Sequence, residues 1–131
     1  MASIFSKIVA GEIPAYKIAE TDKFLAFLDI RPLAKGHALV IPKQEVDYIF
    51  DLEDELLAGL MKFGKRVAKA IEKTVECKRI GVAVVGLEVP HTHVHLIPIN
   101  SVADMSFSRP SLQLEKEEFL SLAAAIQANY E

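Results

Sequence analysis

Tryptophan is absent from this chain of 131 residues, and cysteine occurs once, at Cys77. A lone cysteine excludes a disulfide framework within the chain and points to a reducing compartment, read here as the cytoplasm. No run approaches the roughly 18 apolar residues of a membrane span, so no membrane partner is expected. The N-terminal "MASIFSKIVAGEIPAYK" lacks the basic start and long apolar stretch of a secretory signal. An excess of positive charge is missing too: 15 basic against 18 acidic residues leave a net charge of −3. That balance excludes a general attraction to nucleic acid, although a few groups can still build a local anion site. Low-complexity tracts, repeats and linkers are absent, and 51% of residues are apolar. Residues 1–131 therefore read as one domain with a real core rather than a disordered chain.

What is present has a clear order. "SIFSKIVAG" reads as a short helical turn, with Ser3 as N-cap and Gly11 ending it. "AYKIAE", "FLAFLD" and "HALVIP" read as strands, the first two joined by the turn-like "TD". From Asp51 to about Val75, Leu52, Leu56, Leu60, Phe63, Val67, Ala70, Ile71 and Val75 recur at steps of three and four. That spacing predicts a long helix capped by Asp51, with Lys62, Lys65, Arg66, Lys69 and Lys73 on its solvated face. "RIGVAVVGLEV" and "HTHVHLIPI" read as further strands, and "LEKEEFLSLAAAIQANY" as a closing helix. Strands in a meander, an inserted helix, then strands again predict an α+β domain: an antiparallel sheet with helices on one face.

Histidine occurs four times, yet three of the four fall in "PHTHVHLIP", residues 90–98. On a strand, His91, His93 and His95 share one face while Thr92, Val94 and Leu96 take the core side. Neighbouring histidines then stand roughly 6.5–7 Å apart along the backbone, too spread for all three to ligate one ion on a straight strand. Three uses remain open. The rings could be inert surface. Two of them with His37 could bind zinc, though no Cys, Asp or Glu lies within the strand to complete or orient such a site. Or they could perform nucleophilic and acid–base chemistry, with one neutral ring attacking phosphorus and a neighbour assisting the leaving group.

The run "HTHVHLI" meets the His-x-His-x-His signature of the histidine triad (HIT) family of nucleotide-binding proteins, and the chain strongly resembles that family. "IFSKIVAGEIPAYKI", "FLAFLDIRPLAKGHALVIPK" and "GLEVPHTHVHLIP" look like successive family blocks in the expected order. The nearest branch is the nucleoside phosphoramidase type. The resemblance implies a HIT-like antiparallel sheet of about five strands, a long central helix and a C-terminal helix. It also implies a homodimer with a shared sheet, and a purine nucleotide or nucleoside phosphoramidate as substrate. His93 would be the nucleophile that forms a nucleotidyl-histidine intermediate. His95 would sit by the phosphate and help the leaving group depart, while His91 and His37 orient the triad. Asp29 would accept hydrogen bonds from the ribose. Phe5, Ile13, Phe27 and Ile30 would form the slot for the base.

The chain departs from the family pattern in three places, one being the loss of an Asn-containing turn from "CKRIGVAVVG". Many bacterial members carry Cys-x-x-Cys and a further histidine that hold structural zinc, and here those positions are Ser3, Ser6 and Glu45. Serine hydroxyls are poor zinc ligands, so neither a metal nor any other cofactor is expected. In "GLEVPH", Leu87 stands where relatives carry Gln, and Glu88 falls near the expected phosphate. These changes raise two alternatives: a nucleotide-binding module with little catalysis, or a dinucleoside polyphosphate hydrolase.

Overall fold

The computed structural model of the chain describes residues 2–131. Helix α1 (Ile4–Val9) precedes strands β1 (Lys17–Glu20), β2 (Phe24–Leu28) and β3 (Ala38–Pro42). Helix α2 (Asp54–Thr74), strands β4 (Arg79–Ala83) and β5 (Val94–Ile99), and helix α3 (Lys116–Asn129) complete it. The strands form one sheet in the order β1-β2-β3-β5-β4, antiparallel at every pairing. The expected α+β architecture is therefore observed. Among the described residues, no helix is long and apolar enough to cross a membrane.

Strand alternation sorts the apolar residues between two cores. Phe24, Ala26, Leu28, Ala38, Val40, Val94 and Leu96 pack with Leu60, Phe63, Val67 and Ile71 of α2 and with Phe119 and Ile126 of α3. Full burial of each large side chain there contributes about 1.5–3 kcal/mol. Leu25, Phe27, Leu39 and Ile41 face the other way, against Phe5 and Ile8 of α1. Both sheet faces are thus covered, which is why every residue of β2 and β3 is buried. The two long helices share one face, as expected, and α1 takes the opposite one.

Three boundaries differ from the expectation. Asp51 does not cap α2. It closes a 3-10 turn over Ile49–Asp51, and Glu53 precedes the helix in an extended conformation. Leu52 is extended and only 6% exposed, so burying it in the core delays the helix to Asp54. The β-rich stretch after Cys77 shortens to β4, and Gly86 turns the chain with φ +74°. The histidine strand also starts late: the ladder with β3 ends at Val40 opposite Val94, so His91, Thr92 and His93 precede it. Lys62, Lys65, Arg66, Lys69 and Lys73 are exposed as expected.

Candidate active site

Four elements bring the four imidazoles together. Register places Leu39 opposite His95, so His95 shares the face of Leu39 that looks toward α1. Gly36 turns the chain into β3 with φ +95°, and a Cβ there would lie 3.0 Å from Val75 and 3.3 Å from Ile71. Only glycine suits both the left-handed backbone and that close approach, and the turn delivers His37 beside His95. The rings form a chain: His93 to His95 at 5.1 Å between centroids, and His95 to His37 at 5.2 Å. Phe5 of α1 meets His93 edge-on at 5.0 Å and His91 at 5.9 Å. All four imidazoles are buried.

Hydrogen bonding assigns a tautomer to each ring, because backbone groups only donate or only accept. The Leu33 N–H donates to Nδ1 of His37 at 3.0 Å. Neutral His37 must then carry its proton on Nε2, and it donates that proton to Nδ1 of His95 at 3.0 Å. His95 is left with its own proton on Nε2. On the other side, His93 donates Nδ1–H to the His91 carbonyl at 2.7 Å. Its Nε2 therefore keeps a free lone pair. His91 donates Nε2–H to the Pro42 carbonyl at 2.8 Å, and its Nδ1 faces Ser3 Oγ at 2.8 Å.

Burial reinforces these neutral states. It lowers the pKa of His37 to about 3 and of His95 to about 4, with neighbouring imidazoles adding in each case. Burial lowers His91 as well. Asp29 is half-buried, and burial pushes its carboxyl up, with the Glu88 carboxylate adding slightly. The Asp29 Oδ1 accepts the Arg31 N–H at 2.9 Å, capping the turn before Pro32. Its Oδ2 lies 3.5 Å from His37 Nε2. This contact is not an ion pair, because the Leu33 N–H occupies the nitrogen that a charged His37 would need to protonate.

Asp29, His37 and His95 bring one potential ligand atom each within 4.8 Å of one another. The donor set does not fit a metal. His37 would have to ligate through Nε2, yet the Leu33 N–H at Nδ1 keeps the ring proton on Nε2.

Phe5 and Phe27 are buried in edge contact at 5.6 Å, and half-buried Ile13 packs on the same core. They are core residues whose upper edge borders His93. Ile30 stands outside that cluster, 68% exposed. Glu88 is exposed, and Leu87 is 88% exposed. Several neighbours of the site escaped the sequence reading. Phe107 meets His95 edge-on at 4.8 Å from an irregular stretch with no periodic signal. Ser3, Ser6 and Glu45 converge on His91, 85 to 88 residues from the serines along the chain. The Leu33 N–H, which sets the His37 tautomer, has no side-chain signature at all.

A family model described as HIT domain matches residues 10–102. The chain is 39% identical over 130 residues to an adenosine 5′-monophosphoramidase of Schizosaccharomyces pombe, covering 98% of each chain. It is 37% identical to an uncharacterized HIT-like protein of Borreliella burgdorferi, over 96% of each. Among solved structures, a Hit-like protein from Bartonella henselae superposes with a TM-score of 0.83 at 31% identity, over 97% of this chain and 95% of that one. A Zn-bound histidine triad family protein from Mycobacterium smegmatis gives 0.81 at 32% identity, over 98% and 95%.

Proposed function

The chain belongs to the HIT domain family, and from that premise we propose that it is a nucleotide hydrolase working through a nucleotidyl-histidine intermediate on His93. The preferred substrate class is a nucleoside 5′-phosphoramidate, of which a purine nucleoside is the favoured form. One observation carries the reading. His93 holds Nδ1–H against a carbonyl, which leaves Nε2 as a lone pair, while the adjacent His95 is held with Nε2–H as a donor.

In the first step the leaving nitrogen takes a proton from solvent. His93 Nε2 bonds to the α-phosphorus and the phosphorus–nitrogen bond breaks with its electron pair passing to nitrogen, so the amine departs neutral. His95 contributes a hydrogen bond from Nε2–H to the charge that develops on the phosphoryl group. Burial favours the neutral form of His95, which suits this role better than proton donation from a charged ring. In the second step water attacks phosphorus, the bond to His93 breaks, and a nucleoside monophosphate and one proton are released. Asp29 keeps lone pairs beyond its Arg31 bond and is assigned to the ribose hydroxyls. Phe5, Phe27 and Ile13 would border the base, with exposed Ile30 closing over it. Glu88 is exposed and near enough to Asp29 to raise its carboxyl, and its charge suits the positive nitrogen before the bond breaks.

The reading takes residues 1–131 as one catalytic domain, cytoplasmic and free of resident metal. It also takes the enzyme as a homodimer. The edge strand β4 and the residues just beyond it expose Val82, Val84 and Val85, which supports a sheet continued across two copies.

The test is to mix enzyme with adenosine phosphoramidate, quench rapidly and digest for mass spectrometry. An adenylyl group on the His93 peptide, absent in His93→Ala along with turnover, is the expected result. Undiminished turnover by His93→Ala would refute the proposal. Tight binding of adenosine monophosphate with no turnover of any substrate would instead favour the non-catalytic module, the reading that Leu87 and Glu88 motivate.

A further inference from the structure

The carbonyl that fixes the His93 tautomer belongs to His91, and His91 lies before the β5 ladder begins. No strand pairing holds it. Its neighbours are tied by side chains and turns: the Thr92 N–H and Oγ1–H both donate to the Val46 carbonyl at 2.7 Å. His91 itself is held by its N–H, which donates to the Val89 carbonyl at 2.8 Å, and by its ring. Nε2–H donates to the Pro42 carbonyl at the end of β3, and Nδ1 faces Ser3 Oγ.

Donor and acceptor roles around Ser3 admit one consistent assignment. The His91 proton is on Nε2, so Nδ1 accepts and the Ser3 hydroxyl donates to it. The Ser3 Oγ in turn accepts the Ser6 N–H at 3.0 Å, which is the N-cap bond of α1. The Ser3 N–H and the Ser6 Oγ–H each donate to Glu45 Oε1 at 2.7 Å. One carboxylate after β3 thus gathers both serines, and one of those serines supplies the proton that His91 Nδ1 accepts. The network joins α1, the segment after β3 and the entry to β5 at the atom next to the nucleophile.

We propose that Ser3, braced by Ser6 and Glu45, is a positioning residue for the reaction: it holds the His91 ring so that the His91 carbonyl keeps His93 in its Nδ1–H form. Without the Ser3 proton, His91 Nδ1 is left with only the Ser6 Oγ at 3.4 Å, whose own proton is committed to Glu45. The ring then gains by rotating or by shifting its proton, and either change pulls on the His91 backbone, whose carbonyl the ring positions together with the Thr92 N–H bond of the same peptide unit. The kinetic half of this inference rests on the reading of His93 as nucleophile, whereas the structural half does not.

The experiment compares Ser3→Ala, Ser3→Thr and Glu45→Ala with the native chain. The readouts are kcat and KM on adenosine phosphoramidate, and the 15N resonances of the His93 ring in the substrate-free protein. Ser3→Thr retains the hydroxyl and should keep the native ring signature and kcat. Ser3→Ala should lower kcat by about ten- to a hundredfold at nearly constant KM. It should also replace the Nδ1–H signature of His93 with a mixture of tautomers. Glu45→Ala leaves the α1 cap in place and should give a smaller loss in both readouts, so the inference survives a Ser3→Ala chain that fails to fold. A native His93 signature in Ser3→Ala, or in Glu45→Ala where Ser3→Ala does not fold, overturns it, even if thermal stability falls. If the native chain turns over no substrate, the proposed function fails, but the ring signatures still decide this inference.

Discussion

Acid should destabilise this protein through its buried imidazoles before its paired carboxylates are protonated. His37 and His95 are 1% and 8% exposed, and burial sets their pKa at about 3 and about 4. In an unfolded chain both would titrate near 6.5, at about the free histidine value. The folded values lie below the unfolded ones, so the unfolded chain takes up protons first as pH falls. The stabilisation is complete above about pH 6.5 and is lost from there down to the folded values. Between about pH 7.5 and about pH 5, linkage gives a loss of about 2 kcal/mol for each ring. His91, also lowered by burial, acts in the same direction. Asp29 opposes them, because burial raises its pKa and lets the folded chain take its proton more readily. The carboxyl of Glu45 is held at about 2 by the Ser3 N–H and the Ser6 hydroxyl, and Glu20 is lowered by Lys43. Their contributions fade only below about pH 4.5, outside this window. The assay is urea unfolding followed by far-ultraviolet circular dichroism at both pH values, for the native chain and for His37→Gln. The variant is less stable at the higher pH, but its loss on acidification should shrink by about 2 kcal/mol, since one titrating ring is gone. An equal pH-dependent loss in both chains would refute the reasoning, as would a native stability that does not change.

Two further perturbations probe the site. Asp29→Asn should weaken binding of adenosine monophosphate by about ten- to a hundredfold, the usual worth of hydrogen bonds to a charged group. Calorimetry should find a much smaller loss for a dideoxy analogue, and equal losses would remove Asp29 from the ribose. Phe107→Ala should uncover His95, and its pKa should climb from about 4 toward the ordinary histidine range as burial is relieved. An NMR titration of His95 with an unmoved midpoint would show that Phe107 does not shield it.

Much of the architecture was legible along the chain, because it depends on local periodicity. The stripe from Leu56 to Ile71 is a helix whose buried side follows its steps of three and four, while Val75 is extended just past its end. Alternation in β2 and β3 does set opposite faces, with Phe24 and Ala26 in one core and Leu25 and Phe27 in the other. Boundaries were less legible where a tertiary demand overrode a local preference. Asp51 is a good cap by type, but burying Leu52 postponed the helix. His91 and His93 follow strand spacing, yet the ladder does not reach them.

By itself, then, the sequence determined which residues could do the chemistry and that His91, His93 and His95 would gather on one segment. Side-chain type and spacing are local properties, and they suffice for that much. Only the tertiary structure decided which hydrogen-bond partners each ring meets. His37 meets His95 across 58 residues, and Ser3 meets His91 across 88. The proton on each imidazole is set by a partner that the fold supplies: the Leu33 N–H, the Pro42 carbonyl and the His91 carbonyl. Desolvation, which favours the neutral forms of His37, His91 and His95, belongs to everything packed around them. His93 and His95 differ in where one proton sits: the His91 carbonyl two residues away sets it in His93, and His37, 58 residues away, sets it in His95.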